Sequence, residues 1–298
     1  VCGRRSAVPG VVNTTYLQEI KVLISALDAK GISTLVDLHQ DVLSPYMCGE
    51  GMPDWVFLRA LDMIGHNFSA PHLAFPKPIP FDIPRGPDNK PNLTVCQEHG
   101  FFAYYFSYES EAVWSLLYDG GEDKAMWGYI GDFWGNVSAH LGRTPGLLGY
   151  ELINEPWAAK GINGSWQVLS DSKALLQMYQ HVHGRIRAVD STSLVFFEPV
   201  VLESYEAIIR RYTDFPVYGI GGEDYANRSV FAYHSYCSND VAGTPSPMAL
   251  CRVLVRNIWE GVAQSLDYLQ VGGFLTEFGA VADDSDSIEL LQLQTAGA

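Results

Sequence analysis

A chain of 298 residues, 47% of them hydrophobic and 18% charged, has the apolar material for one large α/β domain or two smaller ones. No window reaches the roughly 18 unbroken apolar residues that a membrane span needs, so a soluble globular protein is expected. A net charge of −15 and a pI near 4.8 repel phosphate backbones and exclude nucleic acid as a partner.

In chain order, the first ten residues hold Arg4-Arg5 and Pro9-Gly10 without an apolar run, which predicts a processed or incomplete chain. Leu17, Ile20, Leu23, Ile24 and Leu27 recur at three- and four-residue intervals, predicting a helix from Asn13 to Lys30 closed by Gly31. Ile32 to His39 is a short β-branched run suited to a buried parallel strand. Residues 40 to 104 lack periodicity and are rich in Pro, Gly and aromatics. They read as a long insertion, about 42–104, of the kind that carries function. Helices are predicted over 123–141, 171–189, 201–211 and 248–268, and another beginning at Ile288. Between them lie strands at Leu147 to Leu152, Ser193 to Glu198, Val230 to Tyr236 and Gly272 to Phe278.

Strict alternation of helix and strand predicts a parallel sheet with right-handed crossovers. A doubly wound open sheet would carry a glycine-rich turn after an early strand, and none is present. The whole chain, 1–298, is read as a single barrel domain.

Six of the ten asparagines (Asn13, Asn67, Asn92, Asn136, Asn163 and Asn227) begin an Asn-x-Ser/Thr sequon. Together they predict passage through a glycosylating secretory pathway, placing the protein outside the cell or in a lysosomal lumen. The five cysteines agree with an oxidising compartment. Cys48 and Cys96 bracket a Pro-rich stretch, Cys237 and Cys251 bracket a short loop, and these pairings are expected, leaving Cys2 over. No CxxC or HExxH pattern occurs, so neither a zinc site nor any cofactor is expected.

Polar groups close every predicted strand: His39 and Asp41, Asn154 and Glu155, Glu198, His234 and Tyr236, then Glu277. The C-terminal rim of a (β/α)8 barrel is where active sites are built. Two carboxyl groups on one rim meet the needs of glycoside hydrolysis, one protonated for the leaving oxygen and one ionised to attack the anomeric carbon.

Leu152-Ile153-Asn154-Glu155-Pro156 resembles the Asn-Glu-Pro motif of family 5 glycoside hydrolases, and Thr276-Glu277-Phe278-Gly279 resembles that family's nucleophile strand. Val36-Asp37-Leu38-His39-Gln40-Asp41 is similar to its strand-three motif, and His234-Ser235-Tyr236 to its His-x-Tyr pair. Within the family, His39-Gln40-Asp41, Gly51-Met52-Pro53-Asp54-Trp55 and Phe197-Glu198-Pro199 resemble the endoglycoceramidases. The resemblance implies an incomplete (β/α)8 TIM barrel in which strands three to seven are recognisable. It also implies a strand-eight Trp and a strand-two Arg, neither of which can be assigned in this sequence.

The expected activity is a retaining endo-β-glycosidase acting on the glycan–ceramide bond, its partner a glycolipid with peripheral contact to membrane lipid. The alternatives are a glucosylceramide β-glucosidase, an endoglucanase and a non-catalytic glycan- or lipid-binding barrel. Glu277 is expected to be the nucleophile and Glu155 the acid/base, raised by apolar walls such as Trp157; either could instead form a rim ion pair. Asn154 would bind the sugar 2-hydroxyl or satisfy a turn. His39, Asp41 and His234 would bind substrate, or pack. Tyr236 would hold Glu277 ionised, or pack. Glu198 would orient Glu155 or His234, or serve as a barrel salt-bridge partner. Trp55 and the insertion would line a channel for a lipid tail, or form a packed minilobe. A retaining reaction places the two carboxyl groups roughly 5 Å apart rather than ~6.5–9.5 Å.

Overall fold

The computed structural model describes residues 11–63, 65, 72–73, 79–80, 83–87, 90–98, 104–121, 124–157, 171–201, 215–237, 245–279 and 284–296. Five strands, β1 (Thr34–Asp37), β4 (Leu147–Glu151), β5 (Leu194–Phe197), β6 (Ser229–Tyr236) and β7 (Gly272–Gly279), form one sheet in the order β1-β4-β5-β6-β7. Every pairing in it is parallel. Each strand lies where the sequence predicts it, within one or two residues. The sheet curls like part of a barrel and neighbouring strands in it follow chain order, the topology that right-handed helical crossovers produce.

Helices α1 (Thr14–Asp28), α5 (Ala125–Leu141), α6 (Asp171–Arg187), α7 (Met248–Leu269) and α8 (Ser285–Thr295) also match the predicted segments. The helix expected over 201–211 lies outside the described residues. Asn13 caps α1 by accepting from the Tyr16 amide, and Gly31 takes the left-handed conformation (φ +74°) that turns the chain into β1. The α5 stripe of Trp127, Ile130, Trp134 and Val137 is buried against the sheet, and Trp134 Nε1 donates to Leu152 O at 3.0 Å. Among the described residues no helix is long and apolar enough to cross a membrane.

The insertion departs from expectation. It contains helix α2 (Asp54–Met63), the two-stranded antiparallel ribbon β2 (His72–Leu73) with β3 (Ile79–Pro80), and the short helix α3 (Leu93–Cys96). Helix α4 (Tyr108–Asp119) follows it and was not foreseen. Val113, Trp114, Leu116, Leu117 and Tyr118 of α4 are all buried, so burial extends round most of the helix and leaves no 3.6-residue contrast to read. Disulfides join Cys48 to Cys96 and Cys237 to Cys251, as expected. The first closes the insertion onto itself, and Gly51 fits it against the sheet rim: a Cβ there would sit 2.2 Å from the His39 carbonyl oxygen.

Candidate active site

The two glutamates meet through a change of register between β6 and β7. Tyr233 pairs with Leu275, but His234 pairs with Glu277, so Thr276 is the extra residue of a bulge. Without the bulge, unbroken alternation would set Thr276 level with His234. With it, His234 Nε2 lies 3.7 Å from Glu277 Oε2, and Tyr236 donates its hydroxyl to Glu277 Oε1 at 2.5 Å. Burial and the adjacent Glu277 carboxylate both push the Tyr236 phenol upward, so it remains a donor.

Glu155 follows β4 and is held in an uncommon backbone conformation, φ +42°. Such a residue stores on the order of 1–3 kcal/mol and persists only where its surroundings fix it. Its amide donates to Glu198 Oε2 at 2.6 Å, and its carbonyl accepts from Gln40 Nε2 at 3.2 Å. Gln40 is fully buried; it also donates to Asn154 O at 2.8 Å and accepts from the Leu43 amide. Asn154 returns a bond from Nδ2 to Gln40 O at 3.0 Å. The Asn154-Glu155 turn is thereby locked to the end of β1.

Glu155 Oε1 lies 2.8 Å from His234 Nδ1, and Glu198 Oε1 lies 2.7 Å from His234 Nε2. Both ring nitrogens are thus engaged by carboxyl groups, where the sequence expectation gave His234 to substrate. Glu198 touches both residues that it was expected to orient in the alternative, Glu155 through the backbone amide and His234 through the ring. Burial opposes charge on the His234 ring, but Glu198 and Glu155 outweigh it and hold its proton well above the ordinary histidine range. Burial first, and then the charge of Glu155, push the Glu198 carboxyl up against the opposing pull of His234. Both of its oxygens nevertheless accept short bonds, so a Glu198 carboxylate paired with a His234 imidazolium is the form this geometry supports.

Oxygen atoms of Glu155 and Glu277 and a nitrogen of His234 all lie within 4.8 Å of one another. Atoms of Glu151, Glu198 and His234 form a second such group. Either set could hold a cation by spacing, yet His234 already serves carboxyl groups in both, so the arrangement reads first as an ion-pair network. Glu155, Glu198, His234 and Tyr236 line one pocket together with Pro199, Val201, Tyr233 and Ile258.

On the β1 side, His39 Nδ1 lies 2.8 Å from Asp37 Oδ2 and its Nε2 3.3 Å from Asp41 Oδ2. Hydrogen bonds to these two carboxylates raise the ring to about 10, so His39 is a cation at neutral pH. Tyr105 donates to Asp41 Oδ1 at 3.4 Å and stacks on Trp157, centroids 4.5 Å apart. Trp157 therefore forms a wall with Tyr105 and Phe106. Trp55 is placed elsewhere: it meets Tyr129 of α5 edge-on at 5.2 Å, in an apolar pocket with Leu38, Met52 and Phe133 that includes neither glutamate.

Sequence reading missed Gln40, Asp37 and Glu151 as parts of this site. Glu151, the last residue of β4, is 4% exposed and pairs in register with Asp37 of β1. Burial, then the Glu198 and Asp37 carboxyls, raise it to about 8. Asp37 is likewise raised by burial. A carboxyl inside an apolar strand is itself a signal, visible in Leu147-Leu148-Gly149-Tyr150-Glu151.

Comparison with known proteins places the chain. The family model described as Cellulase (glycosyl hydrolase family 5) matches residues 3–296. The chain belongs to glycosyl hydrolase family 5. It is similar to an endoglycoceramidase of Cyanea nozakii, 30% identical over 95% of this chain and 52% of that protein. An endoglycoceramidase of Hydra vulgaris is also 30% identical, over 93% of this chain and 48% of its own length. The chain thus spans about half the length of these relatives. Endo-glycoceramidase II from Rhodococcus sp. matches in fold with a TM-score of 0.69 at 17% identity, over 100% of this chain and 60% of that structure. The curled parallel sheet is therefore five consecutive strands of the (β/α)8 barrel, as the motifs implied.

Proposed function

We propose that the protein is a retaining endo-β-glycosidase that cleaves the bond between the glycan and ceramide of glycosphingolipids. The observation that carries this is the approach of Glu155 and Glu277 to within 4.8 Å, nearer the roughly 5 Å of double displacement than the ~6.5–9.5 Å that leaves room for a water. The Glu277 carboxylate attacks the anomeric carbon as the bond to the ceramide oxygen breaks, and that oxygen takes a proton from Glu155. Water then adds at the same carbon, giving its proton to Glu155 and expelling Glu277. The Tyr236 hydroxyl donates to Glu277 Oε1, which holds the nucleophile in place. Similarity to endoglycoceramidases supports the lipid-linked substrate over a polysaccharide.

The experiment is product analysis with the complete protein on lactosylceramide and gangliosides. Intact glycan plus ceramide is the expected result. Release of glucose from glucosylceramide alone would replace this reading with a β-glucosidase, and turnover of β-glucan alone would remove the lipid altogether.

The same protein is proposed to pass through the secretory pathway to the cell exterior or lysosomal lumen. Asn13, Asn92 and Asn227 are exposed, which suits glycan attachment, whereas Asn136 is half-buried within α5 and donates to Asp132 O. An enzymatic deglycosylation that leaves the mass of the natural protein unchanged would refute it.

A further inference from the structure

Three unassigned features stand out: the apolar pocket around Trp55, the His39 pair of aspartates, and the clamp that Glu198 places on both His234 and Glu155. The third is carried furthest by the geometry. We infer that Glu198 and His234 are positioning residues that store the acid proton of Glu155. This rests on the glycosidase reading for its consequence but not for its first test.

The groups facing the His234 ring come from every neighbouring strand. They are Glu151 and Glu155 from β4 and the turn after it, Glu198 after β5, and Glu277 from β7, with Asp37 of β1 farther off. The groups paired with the ring are carboxyls, and the phenols of Tyr233 and Tyr236, both raised by burial, line the same pocket. Two hydrogen bonds from one imidazole to two carboxylates require a proton on each nitrogen. The ring is 10% exposed and Glu198 4%, so the proton is shielded from water.

A balanced cycle follows. As Glu277 bonds to the anomeric carbon and the ceramide oxygen leaves, the Nδ1 proton moves across 2.8 Å to Glu155 Oε1, and Glu155 passes its proton to the leaving oxygen. His234 is then neutral, still donating from Nε2 to Glu198. Esterified Glu277 no longer presents a negative charge 3.7 Å from the ring, which lowers the affinity of the ring for a proton. Glu155 is therefore free to take a proton from the attacking water. When Glu277 is expelled its charge returns, and the proton goes back to Nδ1. Glu198 thus has two roles, the counter-charge of the ring and the anchor of the Glu155 amide at φ +42°.

The test uses the complete protein with 13C- and 15N-labelled histidine, His234 being assigned by the signal lost in His234→Asn. In the wild type the ring is expected to remain imidazolium from pH 5 to 8. In Glu198→Gln it titrates inside that window, while Glu198→Asp, which keeps the charge, restores the wild-type signature. Turnover gives the second readout on aryl β-lactosides. In Glu198→Gln the basic limb of kcat/KM shifts at least about one pH unit lower. The loss is largest for leaving groups that need a proton. A wild-type ring that titrates near 6.5 overturns the inference whether or not the variant folds. So does an unmoved basic limb beneath a uniform fall in kcat. A protein with the expected ring signature but no turnover on any glycoside overturns the function, not the proton store.

Discussion

Glu151→Gln isolates the energetic cost of the carboxyl row beneath the site. Glu151 ordinarily loses its proton near 4.5 and is raised to about 8 in the fold, by burial first and then by Glu198 and Asp37. A raised group adds most to stability below its unfolded value, and that contribution is lost as pH climbs toward the folded one. Between 4.5 and 8 the native state holds a proton that the unfolded chain has released, so stability falls by about 1.36 kcal/mol per pH unit from this residue. At pH 7 the cost is about 3 kcal/mol relative to acid conditions. Gln has the shape of the protonated acid and does not titrate. Urea unfolding of wild type and Glu151→Gln at pH 5 and pH 7 should therefore show the advantage of the variant growing by about 2–3 kcal/mol across that interval. An advantage that is the same at both pH values would mean that Glu151 is ionised in the fold and neutralised by a cation, and the burial argument would be wrong.

Other outcomes follow from the same geometry. Glu155→Gln should slow cleavage of lipid-linked glycans by about 10²–10⁴-fold but spare the first step with a dinitrophenyl leaving group, which a burst of released phenol would reveal. A 2-fluoro glycoside, whose second step is slow, should leave its sugar on Glu277, identified by peptide mass; a label on any other residue would displace Glu277 from its role. Replacing Cys237 and Cys251 by serine opens a loop of sequence separation 14 and should lower stability by about 3 kcal/mol, read as a fall in Tm. Gln40→Leu removes the bonds to the Asn154 and Glu155 carbonyls and the one from the Leu43 amide, and should reduce kcat more than it raises KM.

The sheet was legible because its strands are short apolar runs ending in ionisable residues, and the helices between them carry one-sided stripes. Glu155 and Glu277 were legible as candidates because glycoside hydrolysis needs two carboxyl groups on one rim, and Tyr236 through the resemblance carried by His234-Ser235-Tyr236. Helix α4 was hidden because it is buried nearly all round, Glu109, Ser110 and Glu111 included, so no polar stripe marks a solvent face, and α2 by the Pro and Gly that flank it. The partners of His234 could not be read because they depend on which side chains a bulge at Thr276 brings level, and alternation alone predicts the other register. Gln40 was masked by its neighbours: in His39-Gln40-Asp41 the eye goes to the titratable residues, while the neutral one does the anchoring.

The division between Glu155 and Glu277 is set less by the two side chains than by what each touches. Glu277 accepts from the Tyr236 phenol, which burial and the carboxylate beside it keep protonated and so available as a donor. Glu155 faces the His234 imidazole, which is itself tied to the buried Glu198 carboxyl and in the proposed cycle lends a proton across one hydrogen bond and later recovers it. The asymmetry comes from β6, whose alternate residues His234 and Tyr236 point to the same face and reach different glutamates. One strand thus engages both glutamates through residues two apart, and the proposed roles of acid and nucleophile rest on that difference in partner.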